Sequence, residues 1–284
     1  SDGAGKIEEL DPIQRIVTLR KGISKNEGIL PKILSIGEKP PKASRYSNLN
    51  SNIYNYCDDV SDNQNNYKAI TSILIRGYPN VVGVKKGERL INSDDFDNEI
   101  PKTLLNLRES YLFCQGPPGT GKTFQAANAI VELIKQNKKI AITANSHKVI
   151  HNLLERIENI AQNKRCLFKG LKKGNKDDME TYFDGKFVTT GTDDRPFLKG
   201  LEDKSISLFA GTKFHLSNAY YRSKIDYLFV DEAGQMTITD VIAIGVIAKN
   251  IILIGDQQQL GQPTRGNHPN DSGKSILDLS LIHI

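Results

Sequence analysis

The sequence predicts an α/β protein: one parallel sheet with helices on both faces, preceded by a partly β accessory segment. Three observations carry this reading. From residue 110 onward, short apolar runs alternate with segments of helical period, the pattern of strands joined by crossover helices. A glycine-rich turn lies between one such run and a helical segment. Two other runs end abruptly in acidic or amide residues, as buried strands do at the carboxyl edge of an open sheet.

Composition narrows the class further. The 284 residues are 38% hydrophobic and 25% charged, which suits a globular chain with a sizeable core. No run of about 18 apolar residues occurs, so no membrane-spanning helix is expected. The first residues, SDGAGKIEEL, carry no basic-then-apolar signal and no initiating Met. Cys57, Cys114 and Cys166 lie too far apart for a zinc site or a disulfide framework, so a reducing cytoplasm is the expected setting. The net charge of +5 is compatible with a polyanionic partner.

The elements follow in order. KIEEL and RIVTLRKG flank Asp11-Pro12 and predict a β-hairpin within residues 1–30. Residues 31–100 predict little regular structure. The stretch SNLNSNIYNYCDDVSDNQNNY reads as a polar surface segment, with a mobile recognition loop as the alternative. Residues 1–100 are therefore expected to be an accessory segment of hairpin and loops, and residues 101–278 the main domain. Within that domain SYLFCQ, KIAITA, FVTTG, ISLFAGT, DYLFVDE and NIILIGD are strand candidates. FQAANAIVELIKQ has helical spacing, and HKVIHNLLERIENI places apolar residues at 149, 150, 153, 154, 157 and 160, one face of a helix. Residues 162–204 open basic and turn acidic, and read as an insertion in the sheet.

Residues 116–123 read GPPGTGKT, a phosphate loop between a predicted strand and a predicted helix. Gly116, Pro117, Pro118, Gly119, Thr120 and Gly121 would form a tight turn whose backbone N–H groups face phosphate oxygens. The helix that follows presents its positive end to the same anion. Lys122 is expected to reach the outer phosphates of a nucleotide, and Thr123 to hold Mg²⁺ through its hydroxyl.

YLFVDEAGQ, residues 227–235, ends a buried run in two carboxylates. Asp231 is expected to hold Mg²⁺ and Glu232 to orient or deprotonate an attacking water. The jobs are divided because a metal-bound oxygen is a poor base. Gln259, in NIILIGDQQQL, and Gln235 can each donate and accept, and so can sense a terminal phosphate.

Together GPPGTGKT, DEAGQ and GDQQQL resemble motifs I, II and III of superfamily 1 helicases, in the branch that is typically 5′-to-3′. GPPGTGKT alone is shared with AAA+ ATPases; the other two motifs favour the helicase branch. The similarity is greatest to bacterial proteins that fuse a RecB-like nuclease to such a helicase, and covers roughly residues 101–278. The resemblance implies a RecA-like ATPase domain using ATP and Mg²⁺, a single-stranded DNA partner, and a second RecA-like domain that supplies arginine fingers. TANSHKVIHNLL and AGTKFHLSN are similar to backbone-contacting motifs, which implies nucleic-acid contacts at Asn145, Ser146, His147, Lys148, Thr212 and Lys213. The implied function is an ATP-dependent DNA helicase or translocase. An RNA helicase of the same branch and an AAA+ type remodelling ATPase are the alternatives. Residues 279–284, LSLIHI, match the translation of a transposon end used in sequencing libraries, so the native sequence is expected to diverge after 278.

Overall fold

The structure, a computed structural model, describes residues 6–11, 16–20, 46–117, 119–256 and 276. It divides into two compact units, Ser1–Lys42 and Ala43–Ile284. In the first, β1 (Lys6–Asp11) pairs antiparallel with β2 (Ile16–Arg20), in register from Lys6 opposite Arg20 to Asp11 opposite Ile16, with an irregularity between Ile7 and Glu9.

The second unit is built on seven strands. They are β3 (Tyr111–Gln115), β4 (Ile140–Thr143), β5 (Gly170–Lys173), β6 (Val188–Gly191), β7 (Leu208–Ala210), β8 (Ile225–Val230) and β9 (Ala248–Gly255). Their order across the sheet is β3-β9-β8-β4-β7-β5-β6, and every pairing is parallel. The expected parallel α/β sheet is thus present. A parallel sheet covered on both faces needs apolar residues on both sides of each strand, and the strands show it. Tyr227, Phe229, Ile252 and Ile254 face one core, while Leu228, Val230, Ile251 and Leu253 face the other.

Helices α3 (Phe96–Leu105), α4 (Lys122–Lys135) and α5 (His147–Asn163) close the first face. The second is closed by α1 (Ser47–Ser61), α2 (Lys68–Leu74), α6 (Arg195–Glu202), α7 (Lys213–Leu216) and α8 (Ile238–Gly245). This two-sided covering places the carboxyl ends of β3, β9, β8 and β4 side by side, where the loops can share a ligand.

Three sequence expectations differ from this arrangement. Residues 46–105 are not hairpin and loops but contain α1–α3, and they belong to the same compact unit as the sheet. The polar composition of α1 hid its buried stripe, Leu49, Asn52, Tyr56 and Asp59. Two of these four are polar yet satisfied inside. The Asn52 amide donates to the carbonyls of Ser217 (2.9 Å) and Ala243 (2.8 Å), and Asp59 accepts from the Asn66 backbone and side-chain amides. Residues 162–204 do not interrupt the sheet but extend it, because β5 and β6 continue it beyond β7. The third difference is β5 itself, GLKK, whose two lysines gave no strand signal.

Glu158 of α5 locks this extension to the rest of the domain. Its buried carboxylate accepts the backbone N–H groups of Lys186 (2.7 Å), Phe187 (2.9 Å) and Val188 (2.9 Å) at the start of β6. The approach requires a glycine at 185, since a Cβ there would lie 2.2 Å from a Glu158 carboxylate oxygen. No described helix is long and apolar enough to cross a membrane. Gln259 and residues 279–284 lie outside the described residues.

Candidate nucleotide cleft and nucleic-acid face

The turn after β3 delivers the phosphate loop directly to the start of α4. Gly119 and Gly121 sit at φ +82° and +84°, a left-handed conformation that side chains resist. At Gly116 the loop packs closely: a Cβ there would come 2.8 Å from the Thr120 hydroxyl oxygen, and that side chain would have to turn away. That hydroxyl donates to the Pro117 carbonyl at 2.8 Å. The Lys122 ammonium folds back over the loop and donates to the carbonyls of Gly116 and, at 2.8 Å, Pro117. Pro118 lies outside the described residues.

These groups border a cleft of about 440 Å³. Gly119, Gly121, Lys122 and Thr123 line it together with Asp231, Glu232, Gly255 at the end of β9, and Asp256. The strand order explains the convergence: β9 lies between the strand of the phosphate loop and the strand of the acidic pair. Asp231 is only 8% exposed, and burial pushes its carboxyl up to about 6. The backbone N–H of Glu232, donating to it at 2.9 Å, and the nearby Lys122 charge oppose that rise, while the Glu232 charge adds to it. Burial also raises Glu232. Glu232 stands at φ +51° and ψ +43°, a left-handed conformation that disfavours a residue with a Cβ.

Gln235 does not line the cleft. Its backbone carbonyl and side-chain oxygen both accept from the Asn145 amide, at 3.3 Å. The loop after β4 is thereby tied to the loop after β8. Asn145 and Ser146 lead into α5, and the Ser146 hydroxyl accepts the Val149 N–H (3.3 Å) as an N-terminal cap. Lys148 is exposed.

His147 and Thr212 face a second hollow, of about 510 Å³, at the same edge of the sheet. Sequence reasoning missed its other polar groups, among them Lys173, Asn175, Lys176 and Asn218. They come from the β5 extension and from the segment after α7. Lys173 is held by Asp194 (2.7 Å), and the exposed Lys176 by Asp193 (3.1 Å). Lys213 points elsewhere: it pairs with Asp240 of α8 at 2.8 Å, with only 16% and 14% of the two side chains exposed.

The strand that carries Lys173 to this hollow also holds a buried lysine. Lys172 is wholly buried, and its ammonium has no hydrogen-bond partner among the described residues. Burial pushes it down to about 8 from 10.5, against a smaller opposing pull from Asp178. Burial, with the Lys172 charge next, lowers His147 to about 4 and lowers His151. Below pH 8 the folded and unfolded chains both protonate Lys172, and the burial penalty is full. Between pH 8 and 10.5 only the unfolded chain keeps the proton, so stability rises with pH. Lys172→Met is expected to stabilise the protein by about 1–3 kcal/mol at neutral pH. It should also flatten the rise between pH 8 and 10.5, as read by urea denaturation at a series of pH values. An unchanged pH profile in the variant would contradict this account.

The sheet order, the phosphate loop and the acidic strand end define a RecA-like P-loop fold. More particularly, a family model described as an AAA domain matches residues 98–276, and the chain belongs to that family. It is 28% identical over 177 residues to the DNA replication ATP-dependent helicase/nuclease dna2 of Schizosaccharomyces pombe, covering 61% of this chain and 12% of that protein. The DNA replication ATP-dependent helicase/nuclease DNA2 of Saccharomyces cerevisiae is 27% identical over 157 residues, with 54% and 10% covered. The RecBCD enzyme subunit RecD of Buchnera aphidicola subsp. Schizaphis graminum is 29% identical over 163 residues, with 55% and 24% covered. The chain thus spans between 10% and 24% of the length of these curated relatives.

Proposed function

We propose that this domain is the first RecA-like half of a DNA helicase or translocase motor, acting in the cytoplasm. It would bind ATP with Mg²⁺ in the cleft and single-stranded DNA across the second hollow. One observation carries the reading: both concavities open at the carboxyl edge of one sheet, and the Asn145–Gln235 hydrogen bonds tie the loop that leads into α5 to the loop that follows the acidic pair. The names of the Dna2 and RecD relatives support DNA as the partner.

Each residue then has a task. The loop N–H groups and the start of α4 hold the inner phosphates. Lys122 leaves the Gly116 and Pro117 carbonyls for the outer phosphates, and the positive-φ glycines keep the loop narrow enough to wrap them. Thr123 and Asp231 offer the hydroxyl and carboxylate oxygens that suit a hard divalent cation. When bound, Mg²⁺ neutralises phosphate charge. Glu232 stands beside Asp231 to orient a water and accept its proton. Gln259 would sense the terminal phosphate. Asn145, Ser146, His147, Lys148 and Thr212 would meet the strand's backbone, joined by Lys176 and Asn175 of the hollow. In the parent protein, arginines of a second RecA-like domain would complete the site, so this chain alone should hydrolyse ATP slowly.

Fluorescence anisotropy with labelled oligo(dT) tests the nucleic-acid half of the reading. The chain should bind it with an affinity that falls as salt rises, and Lys176→Glu should weaken binding at least about fivefold. Undiminished binding by Lys176→Glu and by Thr212→Glu would remove the hollow from the reading. Tighter binding of oligo(rU) than of oligo(dT) would favour an RNA motor.

A further inference from the structure

We infer that Arg156 of α5 is a further nucleotide-binding residue, which meets the terminal phosphate of a bound nucleoside triphosphate from within this same domain. The inference rests on the cleft being a nucleotide site.

Helix α5 shows two faces. Ile150, Leu153, Leu154 and Ile157 are buried against the core. Val149, Asn152 and Arg156, spaced three and four residues apart, form a second stripe that lines the cleft together with residues of the phosphate loop. A long cation therefore stands on the wall of a site built for an anion.

Two other charges of the cleft, Lys122 and Asp231, are already engaged. Lys122 is bonded to two carbonyls of its own loop. Asp231 accepts the Glu232 N–H and lies in the field of Lys122. Arg156 makes no ion pair or side-chain hydrogen bond among the described residues, and it is not among the groups that perturb Asp231 or Glu232. Arg156 is exposed and its guanidinium permanently charged.

The position along the cleft selects the phosphate. The loop and the start of α4 account for the inner phosphates. The outermost one extends toward Asp231, Glu232 and Asp256, where carboxylates concentrate negative charge. A planar guanidinium on the α5 side offers paired N–H donors to phosphate oxygens there. Because α5 begins at the Asn145–Ser146 loop, the same rigid helix would border both ligands.

Titration of the chain with the fluorescent analogues mant-ATP and mant-ADP in Mg²⁺ tests the inference. Arg156→Ala should weaken mant-ATP about tenfold or more and leave mant-ADP within about twofold. Arg156→Lys should recover part of the loss. Arg156 is exposed, so both variants should keep the wild-type melting temperature. If Arg156→Ala leaves both affinities unchanged while Lys122→Ala weakens them, Arg156 is a solvated surface residue and the inference is overturned. Equal losses for the two analogues would also overturn it, by moving the contact off the terminal phosphate. If Lys122→Ala changes neither affinity, the nucleotide reading of the cleft itself fails.

Discussion

Glu232→Gln lowers single-turnover hydrolysis of radiolabelled MgATP by about 10²–10⁴-fold, while mant-ATP affinity stays within about twofold of wild type. The separation follows from the site. Glu232 lines the cleft beside Asp231 but does not belong to the phosphate loop. Gln has the same size and a similar tolerance for the left-handed backbone, so the turn at 232 keeps its geometry. What is lost is a group that can take a proton from water. The assay should include oligo(dT), because a bound strand is expected to favour the hydrolysing arrangement. A variant that hydrolyses ATP at the wild-type rate would remove Glu232 from the chemistry and leave the domain a nucleotide-binding switch.

Lys122→Ala has the second large effect, and it falls on binding. The ammonium is the cation nearest the loop, and it has only its own loop's carbonyls as partners here. Removing a charged donor from an anion site costs about 2–4 kcal/mol, or roughly 30- to 1000-fold in mant-ATP affinity. The loss should extend to mant-ADP, since Lys122 is expected to reach the second phosphate as well. Stability should change little, because the lysine's two hydrogen bonds go to a partly exposed loop. A variant binding both analogues as tightly as wild type would show that nucleotides do not use this cleft.

Much of the fold and the centre of the site were legible because chemistry ties residue type to position there. A loop that wraps phosphate needs glycines where φ is positive, and GPPGTGKT supplied Gly119 and Gly121. A strand buried on both faces needs an unbroken apolar run, so DYLFV and NIILI announced β8 and β9 and placed Asp231 and Asp256 at their ends. Legibility failed where burial and polarity disagree. Helix α1 hides Asn52 and Asp59 under the surface, and β5 hides Lys172 entirely. Partners distant in sequence were also invisible. Nothing near Lys213 announces Asp240, and nothing near Gln235 announces Asn145. Arg156 escaped notice because an arginine on a helix flank reads as solvated until the neighbouring helix is in place.

The conformation of Glu232 bears on how such a domain can change over generations. A glycine would occupy φ +51° with less strain than glutamate. Selection for heat resistance alone would therefore drift toward losing the carboxylate. Lineages that keep it advertise a demand other than folding, and a laboratory screen for robustness would need an activity filter to retain it.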